Sequence, residues 1–518
     1  MHFPLRLLAL VLACTGLLFG CGAKAVSAPA ESPAPAQTSQ EPMHTPADPK
    51  ILTIGYNPSD GWNPYLTPST LITQNMGLLL EKLVEIGPDM AISYRLASSI
   101  ESVGETVIVH IRGGCTYSDG TPITAEDAAA SFQAARTSEL YAKRFANVLD
   151  VKTQQGAVIL TLAEPDSLFA YLCDIPVIKA SEVGLPNPTS SGRYTYGTSA
   201  QLVKNSHSAF SESGPERIQL VPVSSYEEMV SGLTVGGLNL YTAREVGDAT
   251  PSVTSKQTYF RTNNMVFMGI NAAANQSHPL LGNAAGRNLL SKILNRRQLA
   301  EKSYYSRAWP ATGAINSFYP CAMAKQVILP EAELAPSAAK AALEAMGYRM
   351  DATSGYYIND RGERLSLRLT VYSGSTYKKY AAALIQKQLH ACGIEIVLDE
   401  VDDFDLWREK IALGDFQLYI GEVKLYNNMD MSPFFAGGSA GIGIVQSEAL
   451  DAAYAAFKQN QSAAGQFESV FAGEMPFVPL LWRNGILVHS REMNGLSPSV
   501  SNAFYSLARL SFEKPQHP

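Results

Sequence analysis

The chain is 518 residues long, 46% hydrophobic and 17% charged, with a formal net charge of −7. These proportions exclude a mostly disordered chain, and an acidic balance with no basic run argues against nucleic-acid binding. The length exceeds one typical core of roughly 100–200 residues, so two or three domains or lobes are expected.

An apolar run extends from Leu7 to Gly20 behind a start that carries His2 and Arg6. It falls short of the about 20 residues that a spanning helix needs, and it fits the apolar part of an export signal. The run closes with Leu18-Phe19-Gly20-Cys21, which resembles the lipobox of bacterial lipoproteins. That resemblance implies residues 1–20 as a cleaved signal and Cys21 as the lipid attachment site. It also implies a protein anchored to the cell membrane, in the periplasm or at the membrane's outer face. Residues 21–49 contain Pro29, Pro33, Pro35, Pro42, Pro46 and Pro49 among Ala, Ser and Thr. They bury too little apolar surface to offset ordering entropy, and are expected to form an extended spacer.

Ile51 to Tyr56 reads as the first strand, and Thr106 to Arg112 alternates with Val107, Val109 and Ile111 on one face. Asp119-Gly120 signals a turn. Thr124-Ala125-Glu126-Asp127 then has the spacing of a capping box, and Ala128, Phe132 and Ala135 follow along one helical side. Ala338–Met346 is a short helix expected to be bracketed by Ser337 and Gly347. A β–α–β unit closes the series. Leu365, Leu367, Leu369 and Val371 alternate, and a helix follows with Tyr377, Tyr380, Ala381, Leu384 and Ile385 on one stripe. Gly393 ends that helix, and Ile394, Ile396 and Leu398 alternate again. The two strands are expected to pair in parallel through a right-handed crossover.

Cys14 and Cys21 belong to the signal region, which leaves Cys115, Cys173, Cys321 and Cys392. These are far apart and read as buried thiols. Four cysteines allow three pairings, and spacing selects none. His110, His207, His278, His390 and His489 are scattered, so neither a metal site nor a catalytic cofactor is indicated.

Several segments together resemble the family 5 extracellular solute-binding proteins of ABC importers, the oligopeptide/dipeptide/nickel-binding group. The most specific runs from Arg112-Gly113-Gly114 through Tyr117-Ser118-Asp119-Gly120-Thr121-Pro122 to Thr124-Ala125-Glu126-Asp127. Others, in the same order, are Glu81–Ile86, Arg287–Leu299 with Ile293-Leu294-Asn295-Arg296, Ala338–Tyr348, Gly414–Leu418 and Pro476–Leu480. Asn295 stands where the family usually has Asp.

The resemblance implies an α/β, two-lobed, type II periplasmic-binding fold with a hinge between lobes and an inserted subdomain. Lobe I would comprise 50–74, 182–266 and 478–518, the inserted subdomain 75–181, and lobe II 267–477. It implies a monomer that captures a peptide by hinge closure and delivers it to permease and ATPase subunits. Nickel chelates, haem, oligosaccharides and a ligand-sensing role are the alternatives.

A peptide needs a carboxylate for its ammonium and a cation for its carboxylate. Asp430, in Asn427-Asn428-Met429-Asp430, is the candidate amine anchor, with a turn cap as the competing role. This loop departs from the family pattern, because Glu422-Val423-Lys424 replaces the usual aromatic. Glu422 is a second acidic candidate, with Lys424 as its expected ion partner. Arg483 is the candidate for a ligand carboxylate or for an ion pair. Trp62, Tyr65 and Tyr426 are cleft candidates with core or rim packing as the favoured alternative, and Asn427 and Trp482 are the remaining cleft candidates. Gly437-Gly438-Ser439-Ala440-Gly441 fits G-x-S-x-G but lacks the flanking strand and helix of a nucleophile elbow, so the chain reads as a binder and not an enzyme.

Overall fold

The computed structural model describes residues 51–211, 213–243, 255–323, 334–435, 437–445 and 447–512. The expected export signal, Cys21 and the expected spacer lie outside these residues. Among the described residues, eleven strands form one mixed sheet. From one edge its order is Glu395–Val401, Ser366–Tyr372, Leu418–Lys424, Ser255–Ile270, Val478–Ser490, Leu240–Thr242, Leu52–Tyr56, Arg217–Pro222, Gln201–Lys204 and Tyr194–Tyr196. Ala308–Pro310 pairs beside Val478–Ser490.

Two long antiparallel strands, Ser255–Ile270 and Val478–Ser490, carry the sheet from one half of the fold to the other. Their register breaks in the middle: Phe260 faces Gly485, but Asn264 already faces Arg483. The extra residues Arg261, Thr262 and Asn263 bulge out, and such a bulge bends a strand pair. On one side of the break lie Leu52–Tyr56, Arg217–Pro222 and Leu240–Thr242. On the other lie Ser366–Tyr372, Glu395–Val401 and Leu418–Lys424.

The cores follow the same division. Phe267, Leu367, Leu369, Ile385, Leu389, Leu418, Phe434 and Phe477 share one cluster. Leu52, Ile54, Ile218 and Leu240 belong to another, together with Val107, Phe132, Phe145 and Leu160 around a separate four-stranded sheet. That smaller sheet spans Ala97–Val103, Thr106–Ile111, Ala157–Leu162 and Val148–Gln154 in pairing order.

Local chemistry explains most boundaries. The capping box is formed: Asp127 N–H donates to Thr124 Oγ1 at 3.3 Å, and Thr124 N–H donates to Asp127 Oδ2 at 3.0 Å. The helix Ala125–Thr137 buries Ala128, Phe132 and Ala135, as its periodicity requires. Ser366–Tyr372 and Glu395–Val401 pair in parallel, with Leu367 opposite Ile396. Asn295 accepts from Gln298 N–H at 2.8 Å, so the amide does the capping work of the usual aspartate.

Two expectations need correction. The short helix is Pro336–Ala345, starting on Pro336 with Ser337 already inside it. Proline's fixed φ suits the first helical position, and its missing N–H costs nothing there. The helix Thr376–Ala391 buries Ala381, Ala382, Ile385 and Leu389, while Tyr380 is exposed. Small residues at 381 and 382 let the helix approach the sheet, and that rotates the tyrosine outward.

Candidate ligand-binding site

Polar side chains collect at the register break. Asn264 is the lateral partner of Lys424 on one side and of Arg483 on the other. Cross-strand partners share a face, so Lys424, Asn264 and Arg483 stand in a row. A crevice of about 280 Å³ opens over them. Its far wall comes from the other half of the fold: Thr70, Thr73, Gln74, Thr242 and the Ser499–Ala503 turn.

Glu422 lies two residues before Lys424 and therefore on the same face. The expected Glu422–Lys424 pair is replaced by others. Glu422 contacts Arg483 Nε at 2.7 Å and Lys378 Nζ at 3.2 Å. The Arg483 Nε–H is not aligned on the carboxylate as a hydrogen bond, so this pairing is chiefly Coulombic. The helix Thr376–Ala391 lies over this face and brings Lys378 within reach of Glu422, leaving Lys424 unused.

Lys424 has no ion pair or side-chain hydrogen bond among the described residues. Its side chain reaches water but stands inside the concave wall. The side chain is exposed, yet the crowding of its surroundings partly desolvates it and lowers its pKa, and Arg483 and Arg144 lower it further. Two acceptors in the same wall also lack partners among the described residues, Asn264 Oδ1 and Asn484 Oδ1, and Asn484 is only 5% exposed. Buried amide oxygens are ordinarily hydrogen-bonded, so two unfilled acceptors lie enclosed behind this wall, close to an unpaired cation.

A second crevice of about 160 Å³ lies between the 143–172 region and the 426–458 region. Asp430 and Tyr426 both line it. The Asp430 carboxylate accepts from Ser432 N–H at 3.0 Å, Ser432 O–H at 2.7 Å and Tyr454 O–H at 2.9 Å. It therefore organises the turn into Ser432–Phe434. Asp166 stands nearby, accepting from Asn428 Nδ2 at 2.7 Å and Leu168 N–H at 3.0 Å. Burial, helped by the Asp430 charge, pushes its pKa up to about 6. Asn427 is taken up by protein contacts, with Asn263 donating to its side chain and Tyr319 to its carbonyl.

Other sequence candidates are placed away from solvent. Trp482 is 1% exposed, and Trp62 stacks on Tyr56 with 5% exposed. Tyr65 is buried and donates to the Pro176 carbonyl. Alternation explains Trp482: it precedes Arg483, so the arginine faces the crevice and the indole faces the core. Gly438 and Gly441, on either side of Ser439, serve close packing. A Cβ on Gly438 would lie 2.4 Å from the carbonyl oxygens of Ser432 and Pro433. Cys115 and Cys173 are buried thiols, and burial raises both pKa values. Among the described residues no three His, Cys, Asp or Glu side chains cluster as metal ligands, and no helix is long and apolar enough to cross a membrane.

The sequence reading overlooked Asn264, Asn484 and Asp166 and gave Lys424 only a pairing role. A signal was present. Arg261-Thr262-Asn263-Asn264 directly precedes the apolar run Met265–Ile270, and Arg483-Asn484 interrupts an otherwise largely apolar strand.

The model of the bacterial extracellular solute-binding proteins, family 5, matches residues 85–441, more than half of the chain. The chain belongs to this family. It is a solute-binding protein of the ABC-importer type, a binder and not an enzyme. No curated protein matches the chain. Solved structures share the two-lobed α/β fold. A nickel ABC transporter protein from Bacillus halodurans has a TM-score of 0.71 at 15% identity, covering 88% of this chain and 98% of that one. The unliganded open form of MppA, a periplasmic murein tripeptide-binding protein, has a TM-score of 0.69 at 16% identity, covering 90% and 98%. The oligopeptide-binding protein AppA from Bacillus subtilis, solved with a nonapeptide, has a TM-score of 0.54 at 17% identity, covering 91% and 100%.

Proposed function

We propose that this family 5 protein is a lipid-anchored peptide receptor, tethered through Cys21 and feeding an ABC permease. The observation that carries the reading is the crevice over the register break. It is walled by both halves of the fold, so a guest inside it favours closure by touching both. Hydroxyl and amide side chains dominate its lining, which suits a peptide backbone held partly through water. In this reading lobe I comprises 50–74, 182–266 and 478–518, with 75–181 inserted and 267–477 as lobe II. AppA and MppA are named for peptides and the Bacillus halodurans protein for nickel, and the scatter of the histidines favours peptides over nickel chelates.

Native mass spectrometry against mixed tri- to nonapeptide libraries tests the reading. Retained peptides in the expected mass range support it. Retention of nickel–histidine complexes with no peptide in any fraction refutes it. The amine role of Asp430 is tested separately by Asp430→Asn. A tenfold affinity loss for peptides with free N-termini keeps that role, and unchanged affinity removes it. Labelling of Cys21 by a palmitate analogue in growing cells tests the anchor.

A further inference from the structure

We propose that the segment 164–174 is a latch between the two halves of the protein: it docks on the 426–458 region, and a proton on Asp166 tightens it, so that mild acid favours capture of a guest. This rests on the two-lobed reading above, in which 164–174 belongs to the inserted subdomain and 426–458 to lobe II, and it names a regulation of that site.

The docked contact is built from several independent bonds. Ser167 N–H donates to the Lys458 carbonyl at 2.7 Å, and Ser167 O–H donates to the Phe457 carbonyl at 2.7 Å. Asn428 Nδ2 donates to Asp166 at 2.7 Å, and Asn427 Nδ2 donates to Asp174 at 3.4 Å. Lys458 pairs with Glu164. Leu168 and Tyr171 join the core cluster of the opposite half, where Tyr171 meets Tyr319 with ring centroids 4.8 Å apart. The latch also reaches the crevice, because Arg144, which pairs with Asp174, is one of the cations acting on Lys424. A guest that draws the halves together and a latch that joins them share one motion, so each favours the other.

Asp166 makes the docking conditional, because it is only 8% exposed in the docked form. Glu164, Cys173 and Asp174 surround it from its own segment, and Lys143 and Arg144 from Ala142–Phe145. Across the seam stand Tyr426 and Asp430 from the loop, and Tyr454 and Lys458 from Glu448–Gln459. The Arg144 and Lys458 cations are engaged by Asp174 and Glu164, and the Asp430 charge opposes a second negative charge. The neutral form has an acceptor at hand. Asn428 Oδ1 is enclosed without a partner among the described residues, and a turn of that amide lets it accept from the protonated carboxyl.

Undocked, Asp166 returns to water and to an ordinary carboxylate pKa of about 3.9. Docked, it titrates at about 6, so the docked form binds the extra proton and docking strengthens as pH falls through that value. Between pH 7.5 and pH 5 the gain is about tenfold.

The experiment follows hydrogen exchange of the Ser167 amide, whose bond crosses the seam, in the full chain at pH 7.5 and pH 5. Wild type, Asp166→Asn and Asn428→Ala are compared, and melting curves verify that the variants fold. Relative to the intrinsic exchange rate, protection should rise about tenfold at pH 5 in wild type. In Asp166→Asn it should be flat and already high at pH 7.5, and in Asn428→Ala it should be lower than in wild type. The same chains are titrated calorimetrically with a mixed tri- and pentapeptide library at both pH values. Wild type should gain affinity at pH 5 beyond any gain in Asp166→Asn; every other titrating group is common to both, so the difference isolates Asp166. Parallel exchange profiles in wild type and Asp166→Asn overturn the latch, and leave the peptide reading standing where peptides still bind. Exchange that responds while peptide affinity does not follow overturns the coupling to capture. Absence of peptide binding at either pH removes the peptide reading, and exchange alone then decides the latch.

Discussion

The Glu422–Arg483 contact gives the sharpest energetic test of the register break. The two groups meet at 2.7 Å with side-chain exposures of 19% and 17%. At an effective dielectric near 20 the gross attraction is about 6 kcal/mol, and Lys378 at 3.2 Å contributes about 5 kcal/mol to the same carboxylate. Desolvation and side-chain entropy offset most of that. Exposed pairs retain about 0.2–1 kcal/mol, whereas breaking a buried pair costs about 3–5 kcal/mol. Partial burial sets Glu422→Gln between these limits, at about 2 kcal/mol of lost stability. The poor alignment of Arg483 Nε makes the interaction mostly Coulombic, so it should weaken in salt. The assay is urea denaturation of wild type, Glu422→Gln, Arg483→Met and the double variant, at low and at molar NaCl. A coupling of about 1–2 kcal/mol at low salt, falling by half or more at high salt, is expected. Additivity within about 0.5 kcal/mol at low salt would refute the reasoning.

Three further predictions concern the core and its titration. Burial pushes Glu468 up to about 7, although the Ala314 and Ile315 N–H groups donate to it at 2.9 and 2.6 Å. A raised folded-state carboxyl pKa means that the native state binds the extra proton, so this group's penalty is full above pH 7 and disappears below about pH 4. Relative to Glu468→Gln, wild type should therefore gain on the order of 2–3 kcal/mol of stability between pH 8 and pH 5; parallel urea midpoints across that range would remove the effect. Gly438→Ala forces a Cβ against two carbonyl oxygens 2.4 Å away and should cost about 1–3 kcal/mol, read by thermal denaturation. Phe477 stacks on Phe434 with centroids 4.0 Å apart and meets Phe267 edge-on, so Phe477→Ala should cost about 3–5 kcal/mol in the same assay.

What could be read from the chain was local. The capping box at Thr124–Asp127 needs atoms only three residues apart, and the β–α–β unit needs two alternating runs and one helical stripe. Tyr380 was misplaced on its stripe because periodicity defines a face but not how close the sheet lets that face come. Trp482 and Arg483 were taken together as cleft residues, although neighbouring strand positions face opposite ways.

The sequence by itself determined the element types, the family blocks and the acidic, non-nucleic-acid character of this protein. Tertiary structure alone decided the binding row, because Asn264, Lys424 and Arg483 are brought side by side from distant parts of the chain by strand register. It also decided which carboxylate neutralises which cation: Lys378, on a helix, reaches Glu422, and Lys424 is left facing the crevice. Charge pairing depends on separations of a few ångströms, and spacing along the chain does not encode those distances.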